Sequence, residues 1–530
     1  MDADAVVIGA GHNGLVAGNL LADAGWDVVV LEATDRAGGA VRSGEVTAPG
    51  YLSDLCSAFY PFAAASPVLG ALDLRRYGLR WRHAPAVLAH LLPDDRAAVL
   101  HRDPEATAAS VESFAAGDGA RWLAAYRQWR GVSAPLLDAL FTGFPPVRAG
   151  LRLLRATGTA DALRLARKLM LSVRDLGGEL FAGEGAKLLL TGNALHTDLG
   201  PETAGSGAYG WLLGMVGQQY GFPVPDGGAH QVADALVRRL HARGGQLELG
   251  ARAARVVVGN GRALGVSTVD GRHWRARRAV LADVPARMLY GELVPAAQLP
   301  PRLVADLEHF RLDKPTLKID WALGGPVPWR NPEVAGAGTV HLGGDTAGLT
   351  RYAAQLATGA DPDEPFLLVG QMTTADPARS PAGTESLWAY THLPERYAEL
   401  GRDDERVAAR VARVEQVMER HAPGFGAAVR GRYVQGPADF TAENPGLPGG
   451  AVGGGTSALT QQLVLRPVPG LGRADTPVDR LYLASSAAHP GGGVHGAPGA
   501  NAARAALARN GVLTGELYRY AIQASHRLVY

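Results

Sequence analysis

The chain has 530 residues, which is more than one hydrophobic core can organise, so two or three domains are expected. Apolar residues make up 47% and charged residues 19%, which excludes an intrinsically disordered chain, and a formal net charge of +1 excludes a global field that would recruit nucleic acid. The single cysteine, Cys56, excludes an intramolecular disulfide and is typical of a reducing compartment.

The N-terminal residues predict a β-α-β unit that binds a dinucleotide. Residues 5–8 read as an apolar strand, a helical run follows, and residues 28–31 read as a second apolar strand. The turn after the first strand carries glycines in G-x-G-x-x-G spacing: Gly9, Gly11 and Gly14. In this motif the glycines permit the turn, the approach of a pyrophosphate to the backbone, and the packing of helix on strand. Glu32 follows the second strand, where a carboxylate accepts the ribose hydroxyls and disfavours a 2′-phosphate.

A second pair of glycines lies in the run EATDRAGGAVRSGEV, just after the acid. This run resembles the second glycine motif of the FAD-dependent amine oxidase and phytoene desaturase superfamily, in which a further loop wraps the pyrophosphate. Alone it also fits an ordinary exposed turn, but joined to the first motif it favours FAD over NAD. The amine oxidase form has arginine directly after the glycines, whereas this chain has Ala40 there and Arg42 two residues later. The departure favours the desaturase-like branch, and the resemblance implies FAD contacts from Gly38, Gly39 and Ala40.

Residues 222–292 resemble the second piece of the FAD domain in the same superfamily. An amphipathic helix at about 232–240 is followed by a strand at 246–249 and by short alternating strands with a Gly-Asn-Gly hairpin signal at 259–261. An apolar strand at 279–283 ends the segment. The resemblance implies a helix, a parallel strand, a three-stranded meander and a return strand, with Ala253 near the adenine.

A third glycine-rich run, HPGGGVHGAPGANAARAAL, separates a strand at 481–484 from a helix that is expected to begin near Gly499 or Ala500. Such a loop offers free N–H groups and the positive end of a helix dipole. In the superfamily this loop closes the FAD site beside the isoalloxazine ring. The flat face of the ring needs backbone without Cβ atoms, and the positive end of the helix dipole stabilises the reduced ring. A flexible loop before a C-terminal helix is the alternative. The resemblance implies flavin contacts from Ser486, Gly492, Gly493 and Val494.

The HPGGGVHG form resembles bacterial phytoene desaturases and, more closely, their less characterised phytoene-desaturase-like or pyridine-nucleotide-disulphide-oxidoreductase-domain relatives. The resemblance covers nearly the whole chain and implies an α/β fold, with a discontinuous Rossmann-like FAD-binding domain, an antiparallel-sheet substrate domain and a helical lid. It implies FAD-binding pieces at 1–71, 222–292 and 470–530, the last including a C-terminal helix. A mainly helical lid or substrate region at 72–221 and the substrate domain at 293–469 lie between them. FAD is expected to be bound non-covalently.

The two insertions have different patterns. Residues 72–220 show apolar positions at helical spacing, and the run RAGLRLLRATGTADALRLARKLMLSVRDL is strongly basic, which fits either a lid helix with a solvated face or a helix on an anionic membrane surface. Residues 293–466 alternate in PTLKIDWAL, PFLLVGQM and ESLWAYTHL, which favours the antiparallel sheet that floors the substrate pocket in the superfamily. With no basic segment before the first apolar run and no apolar stretch of spanning length, a cytoplasmic protein is expected, in which the lid with a solvated face is favoured and peripheral membrane contact through it stays open.

Candidate catalytic groups are few. His489 and His495 flank the glycine loop, where each could act as acid or base, or could instead orient the loop or hydrogen-bond the flavin. Three further candidates precede the second FAD piece: His196, Asp198 and Tyr209. One cysteine and scattered histidines give no metal-ligand spacing, and no G-x-S-x-G elbow supports a hydrolase.

Several functions stay open on the sequence alone. The first is desaturation, in which a hydride from a C–H of an apolar small molecule, such as a carotenoid or another polyene, passes to flavin N5. A redox-neutral isomerisation of a polyene would use the same site. Amine oxidation is less favoured, because the sequence shows neither an aromatic cage nor a cysteine near the glycine loop. A binding or scaffold protein with structural flavin is the non-enzymatic alternative. The electron acceptor and the oligomeric state are left open, and no nucleic-acid partner is expected.

Overall fold

The computed structural model describes all residues from Met1 to Tyr530. The strands are, in chain order, β1 (Asp2–Ile8), β2 (Val28–Leu31), β3 (Ser43–Gly44), β4 (Ser53–Asp54), β5 (Trp81–Arg82), β6 (Ala86–Leu91), β7 (Ala97–Leu100), β8 (Val224–Pro225), β9 (Gln246–Glu248), β10 (Ala253–Gly259), β11 (Arg262–Thr268), β12 (His273–Ala282), β13 (Thr316–Leu323), β14 (Ala337–Leu342), β15 (Leu367–Gln371), β16 (Glu385–His392), β17 (Val429–Gln435) and β18 (Leu481–Leu483). The α-helices are α1 (His12–Asp23), α2 (Pro61–Ala65), α3 (Pro67–Ala71), α4 (Pro104–Glu112), α5 (Asp118–Leu140), α6 (Val147–Met170), α7 (Val173–Leu180), α8 (Glu184–Ala194), α9 (Ser206–Tyr220), α10 (His230–Ala242), α11 (Ala286–Met288), α12 (Pro301–Glu308), α13 (Thr346–Ala357), α14 (Met372–Ala375), α15 (Glu405–His421), α16 (Phe425–Ala428), α17 (Pro437–Glu443), α18 (Ala497–Arg509) and α19 (Gly515–Val529).

The first large sheet is assembled from three separate stretches of the chain. Five of its strands are parallel and lie in the order β9-β2-β1-β12-β18, while β11 pairs antiparallel with β12 and β10 pairs antiparallel with β11. Helices α1, α10 and α18 cover one face with an apolar core, and a second core covers the other. Burial on both faces explains why β1 and β2 are continuous apolar runs. The discontinuous Rossmann-like architecture is confirmed.

Two element boundaries differ from the sequence expectation. The third meander strand and the return strand are one strand, β12, which pairs with β11 near Trp274 and with β18 near Leu281. Helix α18 begins at Ala497 and not near Gly499, because Pro498 fits the first turn of a helix. Gly499 lies inside that turn, where a Cβ would stand 1.9 Å from the carbonyl oxygen of Asn13 in α1. The glycine therefore permits the close crossing of the two helices.

The second large sheet has the order β17-β13-β16-β15-β14-β6-β7. Every pairing is antiparallel except β6 with β14, so the sheet is mixed at this point. Strands β6 and β7 come from the stretch for which the sequence showed mainly helical spacing, and they complete the sheet. Two short strands carry too few alternating residues to stand out from their helical surroundings.

Side chains along β13 face the core and the cavity in turn. Leu317, Ile319 and Trp321 point into the core under α15, whereas Lys318 lies on the opposite face and lines a cavity. Strands β14, β15 and β16 repeat the pattern, since one residue set joins the same core and the other faces the cavity. The sheet is thus the floor of the cavity, as the alternating sequence predicted.

The helical region covers the cavity in two layers. Leu213 of α9 and Phe62 of α2 line the cavity, whereas α6 packs outside α5 and α9 and contributes no lining residue. Helix α6 is interrupted at Gly158, where φ is 72° and ψ is 168°. No helix in the protein combines the length and the apolar character needed to cross a bilayer.

A buried charge network fastens the three main parts of the chain to one another. Asp54 Oδ1 accepts hydrogen bonds from Arg379 Nη1 at 2.8 Å and from the backbone N–H of Ala229 at 2.8 Å. Arg379 also donates to Asp376 Oδ2 at 2.9 Å and to the carbonyl of Pro225 at 3.1 Å. Both charged groups of the Asp54–Arg379 pair are fully buried. The pair joins the first FAD segment, the second FAD segment and the second sheet.

Replacing Arg379 by Met should destabilise the protein strongly, because two carboxylates would be left buried without a cation. Loss of one partner of a buried pair costs about 3 to 5 kcal/mol, whereas Arg406→Met breaks an exposed pair with Asp404 and should cost about 0 to 1 kcal/mol. Thermal unfolding of both variants measures the difference. Equal melting temperatures for the two variants would contradict the role assigned to the network.

Candidate flavin and substrate site

A single large cavity of about 420 Å³ runs from the carboxyl ends of β1 and β2 to the floor formed by the second sheet. Its size falls in the range of small-molecule sites, and half of its walls are apolar side chains. The end near β1 is lined by backbone of the glycine motifs, and the far end by side chains of β13, β14, β15 and β16. We call these the glycine end and the sheet end.

The first glycine motif forms the wall that the sequence predicted. Gly9 and Gly11 line the cavity, and Gly9 has φ of +92°. A Cβ on Gly11 would lie 2.6 Å from Asp283 Oδ2, and a Cβ on Gly14 would lie 2.1 Å from the carbonyl oxygen of Gly9. Gly14 therefore serves packing of α1 and does not line the cavity, whereas Gly11 leaves backbone bare at the start of α1.

The second glycine motif lies directly against the first. Gly38 N–H donates to the carbonyl of Ala10 at 2.9 Å, and a Cβ on Gly39 would stand 3.3 Å from Gly11 Cα. Gly39 and Ala40 line the cavity, and Gly38 lies behind them. The displaced arginine is also part of the wall: Arg42 donates to the carbonyl of Gly39 at 2.9 Å. The two motifs thus make one cradle of backbone.

Glu32 and Ala253 line the glycine end. Glu32 Oε2 accepts from the N–H of Ala10 at 2.8 Å, and Oε1 accepts from the N–H of Thr34 at 2.9 Å. These bonds fix the carboxylate at the end of β2, and each oxygen keeps acceptor capacity for a hydroxyl group.

Asp283 belongs to the same wall and was not found from the sequence. It follows β12, lines the cavity beside Gly11, and its Oδ2 accepts from the N–H of Gly14 at 2.8 Å. Burial raises the pKa of Asp283 to about 7, the Gly14 N–H opposes the shift, and the charge of Glu32 adds to it. The signal was present, since an acid directly after an apolar parallel strand points to the ligand edge of such a sheet.

Part of the C-terminal glycine loop lines the cavity. Ser486, Gly493 and Val494 line it, and Gly493 has φ of +113°. Gly492 does not line the cavity, and a Cβ there would stand 2.5 Å from the carbonyl oxygen of Gly453. A glycine is needed at position 492 for the contact between the two loops and not to form a cavity wall.

Neither predicted catalytic histidine lines the cavity. His495 Nδ1 accepts from the N–H of Ala497, the first residue of α18, at 3.1 Å, and its ring packs on Phe141 at 4.9 Å. His489 is buried beside Phe144, and burial lowers the pKa of His489 to about 4 and that of His495 to about 3. The geometry supports the alternative role for His495, which is to orient the loop and the helix.

A further glycine-rich loop, Val452 to Thr456, was missed in the sequence. Val452 and Gly454 line the cavity opposite the C-terminal loop. Asp313 accepts from the N–H groups of Gly453 at 2.7 Å and Gly455 at 3.0 Å. The run NPGLPGGAVGGGT carried a signal, but in a glycine-rich chain only a framed pattern distinguishes a site from a turn.

Two of the sequence candidates hold this loop. Asp198 accepts from the N–H of Ser457 at 2.8 Å, and Tyr209 donates to the carbonyl of Ser457 at 3.2 Å. Buried Arg466 connects the Val452–Thr456 loop to the segment before the C-terminal glycine loop. It donates to the carbonyl of Thr456 at 3.0 Å and to that of Ser486 at 2.7 Å. His196, the third candidate, lines the cavity itself.

The sheet end has an aromatic wall and one cation. Trp388 and Tyr390 are stacked with centroids 5.9 Å apart, and Phe59 lies 6.1 Å from Trp388. Lys318 lines the cavity with its ammonium 6.0 Å from the Trp388 centroid and is paired behind the wall with buried Asp320. The sequence showed no aromatic cluster, because these residues come from different segments.

Cys56 also lines the cavity, although it is distant from the C-terminal loop in the chain. Burial raises the pKa of its thiol to about 11, so the sulfur is protonated at neutral pH. A thiol in this state is a poor nucleophile for a covalent bond to a cofactor, which fits non-covalent binding.

The residues of the glycine end fit FAD. Bare backbone at Gly11 and Gly39 leaves space for a pyrophosphate, Glu32 offers acceptors to a ribose, and the loop at Gly493 offers a flat wall.

The sequence comparisons agree with this geometry. Residues 14–507 match the model of the family described as flavin containing amine oxidoreductase. The chain belongs to this family. It is therefore an FAD-dependent oxidoreductase.

Curated relatives include pyridine nucleotide-disulfide oxidoreductase domain-containing protein 2 of Rattus norvegicus, which is 29% identical over 94% of this chain and 92% of its own length. Hydroxyneurosporene desaturase of Rhodobacter capsulatus is 28% identical over 96% of this chain and 98% of its own length. Among solved structures, an oxidoreductase from Methanosarcina mazei has a TM-score of 0.63 at 15% identity and covers 96% of this chain and 100% of its own. A putrescine oxidase triple mutant has a TM-score of 0.60 at 17% identity, covering 96% and 98%. At these identities the structures show the fold alone.

Gly11→Ala should weaken FAD binding at least about tenfold, because the new Cβ displaces the Asp283 carboxylate and fills the space beside the turn. Gly70→Ala makes the same change in α3, where a Cβ meets nothing within 4 Å, and should bind FAD normally. The ratio of flavin to protein absorbance after gel filtration measures both. Full flavin content in Gly11→Ala would contradict this placement of the pyrophosphate.

Asp283→Asn should make the apoprotein less sensitive to alkaline pH. The folded-state pKa of Asp283, raised to about 7, lies above that of the unfolded chain, so the folded state binds the extra proton and stability falls as pH rises through this range. The melting temperature of Asp283→Asn relative to wild type should rise between about pH 5 and about pH 8. Asp35→Asn, at an exposed position, should show no such trend. Parallel pH curves for wild type and Asp283→Asn would contradict the assignment.

Proposed function

We propose that this protein is a desaturase-type dehydrogenase of a neutral, largely apolar small molecule, such as a carotenoid or another polyene. A hydride leaves one C–H for flavin N5, a proton leaves the neighbouring carbon, and a C=C bond forms between them. The two electrons then pass to an external acceptor. Bound FAD supplies the hydride acceptor, and the protein supplies the shape and polarity of the cavity.

One observation carries this proposal: the sheet end has aromatic and aliphatic walls and no carboxylate. The acids of the lining are Glu32, Asp283 and Glu443. Glu32 and Asp283 belong to the glycine end, and the Glu443 carboxylate is already paired, since it accepts from Arg402 at 2.9 Å and from Gln435 at 2.8 Å. A neutral substrate therefore meets no unpaired anion at the sheet end.

The same end disfavours an ammonium substrate, although the family name and the aromatic wall make amine oxidation the second candidate. An ammonium group is attracted to the face of Trp or Tyr. Here Lys318 already places a cation 6.0 Å from the Trp388 centroid, with its Asp320 partner behind the wall. Two like charges in a buried site repel each other more strongly than in water.

Anaerobic mixing tests the proposal. Purified holoenzyme is mixed with a polyene series and, separately, with putrescine and cyclohexylamine, and flavin absorbance is followed. Bleaching by a polyene, at least about tenfold faster than by either amine, is expected from the charge at the sheet end. Bleaching by amines alone would overturn the proposal.

Control mixtures with NADH and NADPH separate the remaining alternatives. Rapid bleaching by a nicotinamide would replace desaturation by a reductase or a reductively primed isomerase, and a polyene whose spectrum shifts without net flavin reduction would indicate isomerisation. Reoxidation of the reduced protein by oxygen, a quinone or a nicotinamide then identifies the class of acceptor.

We also propose that α6 contacts an anionic membrane surface, from which an apolar substrate would enter. Val147, Leu151 and Leu154 form one exposed stripe, with 62%, 49% and 42% of each residue exposed. The neighbouring stripe includes Arg148 and Arg155, neither of which has an acidic partner, whereas other arginines of the helix are paired. An apolar stripe bordered by cations suits the interface of an anionic bilayer.

Replacing Leu151 and Leu154 together by Ser should reduce binding to vesicles of phosphatidylcholine and phosphatidylglycerol about tenfold, since the apolar area that enters the interface is lost. Leu264→Ser, at a position with 43% exposure on β11, is the matched control. Co-sedimentation measures both. Equal binding by wild type and the double variant would contradict the proposal.

A further inference from the structure

Four histidines lie at or behind the sheet end: the rings of His90 and His196 contact that of His341 at 5.8 and 5.0 Å, and His392 contacts Tyr390 of the aromatic wall at 5.8 Å. His90 and His341 are register partners on the parallel strands β6 and β14. His196 follows α8, and its Nε2 lies 2.9 Å from Nε2 of His341. Burial lowers the pKa of His196 to about 3 and that of His341 well below its usual value, so both rings are neutral at physiological pH.

A glycine fixes how the two inner rings face each other. A Cβ on Gly192 would lie 2.2 Å from His341 Nδ1 and 3.1 Å from His90 Nδ1. Both nitrogens are therefore directed at the bare Cα of Gly192, and neither has a hydrogen-bond partner. His90 Nε2 donates to the carbonyl of Gly344 at 3.0 Å, which leaves His90 Nδ1 without a proton in the neutral ring.

The same reasoning sets the proton on His341. A proton on its Nδ1 would point at Gly192 without an acceptor, which is unfavourable in a buried site. The proton therefore lies on Nε2 and is donated to His196 Nε2. Since His196 accepts at Nε2 and is neutral, its own proton lies on Nδ1. The hydrogen bond from His341 to His196 thus determines which nitrogen of His196 carries its proton.

Of these four histidines, His196 lines the cavity. Its Nδ1 has no protein partner, yet it is not among the polar atoms sealed inside the protein, so it is reached from the cavity. An N–H donor is thus presented beside the aromatic wall of the sheet end.

We infer that the substrate carries a hydroxyl or carbonyl oxygen that accepts a hydrogen bond from His196 Nδ1. This inference rests on the proposed function and narrows its substrate class to an oxygenated apolar molecule. A pure hydrocarbon would cover the His196 N–H and leave it unpaired, which costs binding free energy. A carboxylate would instead be drawn to the cation of Lys318.

The test compares C15 isoprenoids that differ only at one end: α-farnesene, farnesol and farnesoic acid. Each is titrated into the oxidised holoenzyme, and binding is followed by tryptophan fluorescence, since Trp388 lines the cavity. Farnesol is expected to bind about tenfold more tightly than farnesene. Equal affinities for alcohol and hydrocarbon, or tighter binding of the acid than of the alcohol, would overturn the inference.

Two variants of the same residue assign the donor. His196→Leu should lose the preference for farnesol while farnesene binds within about twofold of wild type. His196→Asn should keep part of the preference, because its side-chain amide places an N–H where Nδ1 stood. A preference that persists in His196→Leu would overturn the inference. If the Leu variant is recovered without flavin, His196→Phe, which keeps an aromatic ring without an N–H, serves in its place, and it too should lose the preference.

Flavin reduction in the same samples separates the two proposals. If hydrocarbon and alcohol bleach the flavin equally and bind equally, the inference is wrong and the proposed dehydrogenation stands. If the alcohol preference depends on His196 but no isoprenoid or polyene reduces the flavin, the inference stands and the proposed dehydrogenation is wrong.

Discussion

The buried ion pair of Arg379 and Asp54 connects parts of the chain that no local interaction could hold together. The parallel sheet takes strands from both ends and from the middle of the sequence, so its ligand edge exists only when three segments are in register. Asp54 comes from the first segment, Pro225 and Ala229 from the second, and Arg379 from the second sheet. A charge pair in a low-dielectric interior tolerates little displacement, because each partner would be left without compensation. The pair therefore fixes the distance between the glycine end and the sheet end of one cavity.

Glycine-rich backbone is used at this site in two physically different ways. At Gly11, Gly39 and Gly493 the missing side chain leaves wall space for a cofactor. At Gly14, Gly492 and Gly499 it lets two pieces of backbone approach each other, so that helices and loops pack more closely than any side chain would allow. The close backbone contacts at the packing glycines hold the wall glycines in position. Asp313 and Arg466 add to this arrangement, since they bind the backbone of the loops from behind and leave the cavity face open.

Polar chemistry in the cavity is set by burial and by neighbours. Asp283 shares its surroundings with Glu32, and its pKa is raised; Cys56 is kept as a thiol; the histidines of the sheet end are kept neutral. The sheet end therefore presents one cation with its counter-ion behind it, one fixed N–H donor and an aromatic wall. Such a surface selects a neutral molecule by shape and by a small number of hydrogen bonds.

The sequence by itself determined the FAD domain, because its motifs are local: strand, glycine turn, helix and acid occupy neighbouring residues, and backbone geometry dictates each of them. It also determined the alternating floor, since a period of two survives in single strands such as β13. Only the tertiary structure decided which glycines face the cavity, that β6 and β7 complete the sheet, and that His489 and His495 lie outside the lining. Asp283, the loop at Val452, the aromatic wall and the His196–His341 pair were decided there too, because their members are distant in the chain and meet only through packing. Proximity across such separations has no periodic or spacing signature, so only the folded chain reveals it.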